Sequence, residues 1–379
     1  MIKRLLLFTI FQLVFSGAVL AGMSLIPAPP KIQASGWLIM DYHSNQILAS
    51  DNIDEKLPPA SLTKIMTTYI VGNELANNKI NLDDVVVVSE KAWRMPGSRM
   101  FIEVNDEVTV GQLVKGVVIQ SGNDASVALA EYISGDETVF AELMNQHAKR
   151  LGMKDSHFMN STGLPDENHY TTAHDVAILA AALIRDFPDV YKYHSDKSFT
   201  YNEITQQNRN RLLWLDDSVD GIKTGHTEAA GYCLVASAKR NDMRLITVVM
   251  GADSDSARTK ATQALLNYGF RFYETKKLYE ANESVTTARV WKGREDSLDL
   301  ALRKDLYITL PRGQFEKLNT SFTIPDRLFA PIDEGEHLGE IVLTLADEVK
   351  RSEPVYAMRA IPKGSLFSRL KDDIRLIFE

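Results

Sequence analysis

Two side chains that could form a nucleophile and its base stand three positions apart in the segment Ser61-Leu62-Thr63-Lys64. Residues three apart on a helix share one face, so the Ser61 hydroxyl and the Lys64 amine would lie together. Serine attacks a carbonyl only when a base removes its proton, and a lysine whose pKa is lowered by burial and nearby cations can act as that base. The pair predicts acyl transfer through a serine ester. Alone it is a weak signal, because Ser-x-x-Lys arises by chance roughly once or twice in a chain of this length.

Two further triplets strengthen this prediction through their order and placement. Ser121-Gly122-Asn123 falls at a predicted junction between two helices, where a loop can present a hydroxyl and an amide to a cleft. Lys223-Thr224-Gly225 immediately precedes an apolar segment, residues 231–239, that is predicted as a strand. Each triplet also has a purely structural interpretation, as a turn or as the start of a strand with an exposed lysine. The three together, in the order Ser-x-x-Lys, Ser-x-Asn, Lys-Thr-Gly, favour a serine acyl-transfer enzyme.

The elements that must position these motifs change from strand to helix and back to strand. Apolar runs at 37–41 and 46–50 predict a hairpin, and helical spacing predicts a helix from Ser61 onward. Further helices are predicted from the capping box Thr109-Val110-Gly111-Gln112, just after Asn123, at 137–152, from Thr172 to before Pro188, and at 256–273. Strands are predicted at 231–239 and 244–251. If the first hairpin pairs with the last, the result is an α/β fold with a single antiparallel sheet and no Rossmann phosphate loop.

The last hundred or so residues follow a different pattern. A linker is predicted at 275–280, and short alternating runs after it predict a small all-β domain. These runs are 285–291, 298–302, 306–310, 341–345 and 355–361. At the end of the chain one helical face is formed by Leu366, Phe367, Leu370, Ile374, Ile377 and Phe378. Lys363, Arg369, Lys371 and Arg375 lie on or near the other face, which favours an in-plane membrane anchor over a helix docked on the β domain.

Composition and the N-terminus limit the classes of function. The N-terminus predicts a secretory signal peptide over 1–21, because the basic residues Lys3 and Arg4 precede an apolar run at 5–20 and small residues before Gly22. A retained membrane anchor is the alternative. The 379 residues carry a net charge of -8 and no long basic run, which argues against nucleic-acid binding. The one cysteine, Cys233, excludes an intramolecular disulfide and a cysteine metal cage. We predict no cofactor and no metal.

The chain resembles the penicillin-recognising serine enzymes, in particular the low-molecular-mass penicillin-binding proteins of the D-alanyl-D-alanine carboxypeptidase (type 5) group. The segments that carry the resemblance are Pro59-Ala60-Ser61-Leu62-Thr63-Lys64-Ile65-Met66-Thr67, Gln120-Ser121-Gly122-Asn123-Asp124-Ala125 and Asp220-Gly221-Ile222-Lys223-Thr224-Gly225-His226-Thr227. Beyond Lys276 the resemblance is architectural. It implies a catalytic domain at 22–274 with a central antiparallel sheet flanked by helices, a small all-β domain at 275–362 and an anchoring helix at 363–379. The protein would act at the periplasmic face of the cytoplasmic membrane.

The resemblance also implies a reaction and the residues that perform it. Ser61 would attack the penultimate D-alanine carbonyl of a peptidoglycan stem pentapeptide, D-alanine would leave, and water would hydrolyse the acyl-enzyme. β-Lactams would bind covalently as substrate mimics. Lys64 would be the general base and Ser121 would pass a proton to the leaving amine. Asn123 would hold the substrate amide, and Lys223 would supply the positive field that keeps Lys64 deprotonated.

Substrate binding is assigned in the same way. The oxyanion hole would consist of the nucleophile's own backbone N–H and that of His226, after Lys-Thr-Gly, so the His226 imidazole need not be catalytic. Thr224, in the triplet that ends at Gly225, and Arg258 match family positions that contact the substrate's terminal carboxylate. Arg209 also matches a stretch near the site and ranks below Arg258. A bidentate arginine contact to that carboxylate would favour carboxypeptidase over endopeptidase action.

The sequence departs from the family at two places and leaves several alternatives open. The segment 93–101 is shorter than in relatives, and Thr162 stands where some relatives have a histidine, which bears on rate and substrate preference. A serine β-lactamase would share the three motifs, but no suitably placed glutamate for fast deacylation is visible. A zinc peptidase would need paired histidines at ligand spacing. The closest pair in the sequence is His169 and His174, and there is no His-Glu-x-x-His motif. A D,D-endopeptidase and a penicillin-binding wall scaffold without turnover stay open.

Overall fold

The computed structural model describes residues 26–378, so the signal peptide predicted at 1–21 lies outside the described residues. The N-terminal part contains these elements: β1 (Gly36–Asp41), β2 (Ile47–Asp51), α1 (Thr63–Ala76), β3 (Val85–Val87), α2 (Glu90–Trp93), β4 (Glu107–Thr109), α3 (Val110–Lys115), α4 (Asn123–Ser134), α5 (Glu137–Leu151), α6 (Ala173–Asp186), α7 (Pro188–Tyr191), β5 (Ser198–Tyr201), β6 (Ile204–Gln207), α8 (Leu212–Leu215), β7 (Val219–Thr227), β8 (Gly231–Arg240), β9 (Met243–Ala252) and α9 (Asp255–Phe272). Within 26–378, no helix has the length and apolar character needed to cross a bilayer.

A five-stranded antiparallel sheet forms the centre of this part, in the order β2-β1-β9-β8-β7. The predicted pairing of the first hairpin with the last is confirmed, with Ile39 opposite Thr247. Successive residues of a strand point to opposite faces of the sheet. Val235 accordingly packs in the core beneath α1 and α6, while its neighbour Leu234 packs in the core beneath α9. Helices on both faces explain why β8 and β9 are apolar almost throughout.

The helices begin where their capping residues stand. Thr109 forms the predicted capping box with Gln112, and the side chains of Thr172 and Ser254 accept hydrogen bonds at the starts of α6 and α9. α5 ends at Gly152, which adopts a positive φ of 83°. A third core lies under α3 and α4, and this core supports the junction at which Ser121 sits.

The C-terminal part is a compact β structure with its own apolar core. Its elements are β10 (Tyr273–Tyr279), β11 (Ser284–Trp291), β12 (Ser297–Ala301), β13 (Leu306–Pro311), β14 (Leu318–Thr323), β15 (Leu328–Phe329), β16 (His337–Leu345), β17 (Glu348–Ala357) and α10 (Leu366–Phe378). Six strands form one sheet in the order β14-β16-β17-β12-β11-β15, and β10 pairs with β13. The fold class is therefore as expected: a helix-flanked antiparallel sheet, a small all-β unit and a terminal amphipathic helix.

The structure corrects two details of the sequence interpretation. The linker predicted at 275–280 is wrong, because β10 runs through it and pairs with β13 along six positions from Tyr273 to Tyr279. The Lys-Thr-Gly triplet does not merely precede a strand, because it lies in the middle of β7. β7 has only two apolar side chains, Val219 and Ile222, among polar residues and two glycines, so it lacks the apolar alternation that reveals a strand.

A buried polar network joins the two parts. Thr275 and Thr309, on the paired strands β10 and β13, lie 2.9 Å apart at their hydroxyls. Thr275 donates to a carboxylate oxygen of Asp41 at 2.7 Å, and the Ser44 hydroxyl lies 2.6 Å from that of Thr309. Asp41 also accepts the backbone N–H groups of residues 43 and 44. These donors satisfy the hydrogen-bonding capacity of the buried Asp41 carboxylate. The network therefore holds the C-terminal β structure against the N-terminal part.

Candidate active site

Ser61 lies in a short 3-10 turn, Ala60–Leu62, that leads directly into α1. Ala60 adopts a positive φ of 47°, a strained conformation for a non-glycine residue. Gly163 is packed against it so closely that a Cβ there would stand 1.8 Å from the Ala60 carbonyl oxygen. On the other side, a Cβ added to Gly225 would stand 3.2 Å from the backbone nitrogen of Ser61. Two glycines thus let neighbouring segments close on the turn and hold the serine at the edge of β7.

Lys64 is completely buried, one turn beyond Ser61. Its Nζ lies 3.2 Å from Ser61 Oγ, 2.7 Å from Asn123 Oδ1 and 2.6 Å from the backbone carbonyl oxygen of Thr162. Three acceptors match the three donors of an ammonium group. The two shorter contacts fix the amine in place, and the longer one points it at the serine hydroxyl.

Burial is the main cause that lowers the pKa of Lys64, to about 7 from 10.5. The positive charge of Arg209 lowers that pKa further, while the buried carboxylate of Asp124 and the carboxylate of Glu137 raise it. The sequence interpretation assigned this electrostatic role to Lys223. In the structure the charge of Arg209 lowers the pKa of Lys64, and Lys64 and Lys223 also repel each other when both are charged, so the role of Lys223 stays a prediction. An amine with this pKa is largely neutral just above neutral pH and can accept a proton.

Ser121 and Lys223 form a second hydroxyl–amine pair. A π-helical turn, Gly116–Gln120, ends at Ser121, which adopts a left-handed conformation with φ 67° and ψ 34°. Lys223 Nζ donates to Ser121 Oγ at 2.9 Å and to the Thr224 carbonyl oxygen at 3.0 Å. Burial lowers the pKa of Lys223 well below its ordinary value, and the charge of Lys64 lowers it further. Strain of this kind in a non-glycine residue is concentrated at functional sites.

Asn123 begins α4 and links Lys64 on α1 to the segment 93–101. Its Oδ1 accepts from Lys64, and its Nδ2 donates to the Pro96 carbonyl oxygen at 2.6 Å. The next residue, Asp124, is fully buried and accepts the backbone N–H groups of Met100 and Phe101 at 2.9–3.0 Å. The short segment 93–101 is therefore tied to the Ser-x-Asn junction by side chains of that junction.

The two arginines expected near the substrate's carboxylate differ in their surroundings. Arg258 is buried, and its guanidinium donates to Asp255 at 2.5 Å and to the carbonyl oxygens of Gly225 and Cys233 at 2.9 and 3.1 Å. Arg209 is exposed and, within residues 26–378, makes no hydrogen bond or ion pair. Arg258 therefore supports β7 and β8 from behind, whereas the guanidinium of Arg209 is open to a ligand.

Comparison with known proteins agrees with this geometry. Residues 23–254 match the family described as D-alanyl-D-alanine carboxypeptidase, and residues 273–363 match the penicillin-binding protein 5 C-terminal domain. The chain belongs to the D-alanyl-D-alanine carboxypeptidase family. Among its relatives, the D-alanyl-D-alanine carboxypeptidase DacC of Escherichia coli is 43% identical over 97% of this chain and 94% of its own length. The resemblance inferred from the sequence, and the serine carboxypeptidase activity that it implied, are confirmed.

Solved structures of penicillin-binding proteins share the fold. Penicillin-binding protein 5 from Haemophilus influenzae superposes with a TM-score of 0.87 at 42% identity, covering 89% of this chain and all of that one. Penicillin-binding protein D2 from Listeria monocytogenes, in an ampicillin-bound form, gives a TM-score of 0.60 at 28% identity, covering 64% of this chain and 100% of that one. The first match includes the C-terminal β unit, so the architecture beyond β9 is shared as well.

Several features of the carboxypeptidase site were not found by sequence reasoning. The Thr162 carbonyl that holds Lys64 is a backbone group, and residue types carry no signal for it. Arg209 was predicted only as a carboxylate contact that ranks below Arg258, and its effect on the pKa of Lys64 depends on a tertiary approach that no sequence spacing encodes. For Arg258 a signal was present: Asp255 stands three residues earlier on the same helix, the spacing of an ion pair.

Two other reactive side chains near the site, those of His226 and Cys233, lie on β7 and β8. His226 is exposed on β7, with its ring 4.1 Å from that of Tyr232. Cys233 is buried on β8, and burial raises the pKa of its thiol to about 11, so it stays protonated. In the part of the chain from 26 to 378, no cluster of histidine, cysteine and acidic residues could hold a metal ion.

Proposed function

We propose that Ser61 carries the acyl group when this carboxypeptidase removes the terminal D-alanine from peptidoglycan stem pentapeptides. One observation carries the assignment: Lys64 Nζ lies 3.2 Å from Ser61 Oγ in full burial, with a pKa lowered to about 7. A neutral amine at hydrogen-bond distance is what a serine needs to become a nucleophile.

In the acylation step, Lys64 takes the Ser61 proton as Oγ attacks the carbonyl carbon of the penultimate D-alanine. The developing oxyanion is stabilised by the backbone N–H groups of Ser61 and His226. The close approach of Gly225 to the Ser61 nitrogen supports this assignment, because it brings the end of Lys-Thr-Gly beside the nucleophile's own N–H. Asn123 holds the substrate amide, exchanging its present contacts with Lys64 and Pro96 for the peptide.

The leaving group receives its proton through the second hydroxyl–amine pair. Ser121 Oγ–H donates to the departing D-alanine nitrogen and is reprotonated by Lys223, 2.9 Å away. The proton that Lys64 took from Ser61 passes through solvent to the now neutral Lys223, so Lys64 is a free base again. Water then attacks the ester on Ser61, Lys64 takes a proton from that water and returns it to Ser61 Oγ, and the shortened peptide leaves. Lys223 thus acts directly on Ser121, and burial together with the charge of Arg209 keeps Lys64 neutral.

The terminal carboxylate of the peptide binds to Thr224 and to an arginine. The unpaired guanidinium supports Arg209 as the direct contact, since that of Arg258 already donates to Asp255 and two carbonyls. Arg258 acts as a positioning residue that holds Gly225. Recognition of a carboxylate limits the enzyme to chain ends, as a carboxypeptidase requires.

β-Lactams bind as covalent substrate mimics. The same attack by Ser61 opens the lactam ring, and the amine stays attached to the acyl group, which hinders the entry of water. The ampicillin-bound structure of the Listeria protein, which shares this fold, supports the proposal.

We assign the protein to the periplasmic face of the cytoplasmic membrane, with residues 1–21 as a signal peptide. The catalytic unit then spans 22–274, the β unit 275–362 and the membrane helix 363–379. Support comes from α10, where Phe367 and Phe378 are 88% and 85% exposed. The acidic residues of α10 face the β unit instead: Asp372 accepts the backbone N–H of Lys292 at 2.7 Å, and Asp373 is ion-paired with the Lys292 side chain. The helix therefore presents apolar and basic residues outward.

The decisive experiment measures D-alanine release from a D-Ala-D-Ala terminated stem pentapeptide by the mature protein. We expect release by the wild type and by Ser321→Ala, a control on the exposed strand β14, and none by Ser61→Ala. Mass spectrometry should locate a penicilloyl group on the peptide that contains Ser61. Penicillin labelling of Ser61→Ala at the wild-type rate would overturn the assignment.

A further inference from the structure

A buried histidine lies beside the start of β7 and has no role in the reaction described above. His194 belongs to a short 3-10 turn, Lys192–Ser195, and is 1% exposed. Its Nδ1 lies 2.8 Å from the backbone carbonyl oxygen of Ile222, the residue before Lys223. A carbonyl oxygen only accepts hydrogen bonds, so Nδ1 carries the imidazole proton and donates it.

The Ile222 carbonyl lies on the outer edge of the central sheet. β7 is the edge strand of that sheet, so the carbonyls on its outer side need partners other than a strand. Alternate residues of an antiparallel strand direct their backbone groups to the same side, which groups Ile222 with Thr224 and His226. The Thr224 carbonyl accepts from Lys223 Nζ at 3.0 Å. Side chains of the protein thus occupy the edge up to the oxyanion position proposed at His226.

The His194 ring is held in place by its own neighbours. It stacks on Tyr191, with ring centres 5.7 Å apart and planes 25° apart. The Tyr191 hydroxyl donates to Asp220 at 2.6 Å, and Arg244 is ion-paired with Asp220 at 2.7 Å. A Cβ added to Gly221 would stand 2.8 Å from the Tyr191 hydroxyl oxygen, so the turn packs directly on the backbone of β7.

The chemistry of the imidazole limits what it can do. Burial lowers the pKa of His194 to about 4, so the ring is neutral near pH 7. In the described part of the chain, its Nε2 has no hydrogen-bond partner. The Nδ1–H donor is therefore the polar contact through which His194 acts on the site.

That contact is one of two that fix the backbone just before Lys223. Asn210 Nδ2 donates to the Gly221 carbonyl at 2.9 Å, so the consecutive carbonyls of Gly221 and Ile222 both receive side-chain donors. The amine of Lys223 has to meet Ser121 Oγ, which it does at 2.9 Å. A backbone shift of about 1 Å at this point would break that hydrogen bond.

We propose that His194 is a positioning residue for proton delivery to the leaving group. Its Nδ1–H fixes the Ile222 carbonyl and thereby holds Lys223 at Ser121. The proposal rests on the proposed function, because it acts through the Ser121–Lys223 pair. Loss of the donor impairs protonation of the departing nitrogen more than attack by Ser61.

The test compares two leaving groups on the same stem peptide. One substrate ends in D-Ala-D-Ala, and the other is a thioester in which thiolactate replaces the last D-alanine and keeps the terminal carboxylate. The amide nitrogen must receive a proton before its bond to carbon breaks. A thiolate leaves without one, because thiols have pKa values of about 8.5. kcat/KM compares the two substrates through the acylation step.

His194→Leu should lower kcat/KM for the amide about 10- to 100-fold and for the thioester about threefold or less. The side-chain amide nitrogen of asparagine can stand where Nδ1 stands, so His194→Asn should keep the amide rate within about threefold of the wild type. Both variants should lower the melting temperature, so rescue by asparagine separates positioning from packing. His147→Leu is the matched control: it also removes a buried histidine whose Nδ1 is in a hydrogen bond, here with Arg150 at 2.8 Å on α5, and should change neither rate.

Ser121→Ala distinguishes this proposal from the one on which it rests. It should lower the amide rate more than the thioester rate. If it does so while His194→Leu lowers both rates alike, the positioning role is overturned and the reaction stands. If Ser121→Ala lowers both alike, the proposed proton delivery is contradicted, and the role of His194 with it. A loss in His194→Asn as large as in His194→Leu would also overturn the positioning role.

A measurement on the wild type covers the case in which His194→Leu does not fold. NMR of the imidazole nitrogens, assigned with His194→Asn, shows which nitrogen carries the proton. We expect a neutral ring protonated at Nδ1 at pH 7. A proton on Nε2 would remove the hydrogen bond to Ile222 and overturn the proposal.

Discussion

The acylation of Ser61 by penicillin should follow the ionisation of Lys64. With a pKa of about 7, the amine is neutral in about a tenth of the molecules at pH 6, about half at pH 7 and about nine tenths at pH 8. If only the neutral amine activates Ser61, the second-order rate constant for acylation rises about tenfold between pH 6 and pH 8 and then levels off. An unperturbed lysine, with its pKa near 10.5, would instead give a rate that still rises tenfold per pH unit above pH 8.

Substitution of Arg209 should move this profile. Its charge lowers the pKa of Lys64, so Arg209→Gln should shift the midpoint to higher pH and slow acylation most strongly below pH 7. A separate loss at the high-pH plateau should reflect the missing contact to the penicillin carboxylate. Arg327→Gln, which removes the same charge from an exposed position in the β unit, is the matched control and should leave the midpoint in place.

Acylation by a fluorescent penicillin can be followed by stopped flow at sub-saturating concentrations between pH 5.5 and 9. The second-order rate constant reports the ionisation of the free enzyme, so its pH profile gives the midpoints of the wild type and of Arg209→Gln. A rate that is flat across this range would refute Lys64 as the titrating base. An unchanged midpoint in Arg209→Gln would refute the electrostatic role of Arg209.

Three further predictions follow from the contacts of the site and of α10. Gly225→Ala should slow acylation at least tenfold, roughly, while the melting temperature changes little, because the new Cβ would press on the Ser61 nitrogen at 3.2 Å; wild-type acylation by this variant would contradict the close approach. Arg209→Ala should lower kcat/KM for peptides with a free terminal carboxylate more than for amidated ones, whereas Arg258→Ala should lower both alike and also lower the melting temperature; a reversed pattern would restore Arg258 as the direct contact. Deletion of 363–379 should abolish co-sedimentation with anionic lipid vesicles and leave D-alanine release from a soluble peptide intact; unchanged sedimentation would count against the anchor.

The parts of the site that sequence reasoning anticipated are those whose spacing is fixed by local structure. Ser61 and Lys64 are one helical turn apart, so their contact follows once a helix is predicted there. Ser121 was expected at a junction between helices, and the structure places it at such a junction, in a left-handed conformation. The meeting of Ser121 with Lys223, 102 positions later, could be inferred only through the family resemblance, since no local rule relates them.

Other features depend on tertiary contacts that residue types do not encode. β7 has too few apolar residues to be recognised as a strand, and its conformation is set by pairing with β8 from Val219 to Thr227. β10 resembles a charged linker, since Lys276 and Lys277 follow Thr275, and becomes a strand because it pairs with β13. Both strands show that pairing with a neighbour can override a weak local pattern.

The buried amine of Lys64 also has a consequence for the folded state. In the unfolded chain the Lys64 amine would have a pKa of 10.5, whereas in the folded protein its pKa is about 7. A pKa difference of one between the folded and unfolded states changes the free energy of unfolding by about 1.4 kcal/mol. Below pH 7, Lys64 therefore lowers the stability of the native state by about 5 kcal/mol relative to an unperturbed lysine. Since the folded pKa is the lower one, the cost shrinks as pH rises from 7 and vanishes above 10.5. The group that makes the serine reactive therefore makes the fold less stable at neutral pH, and the apolar cores on both faces of the sheet must offset that loss.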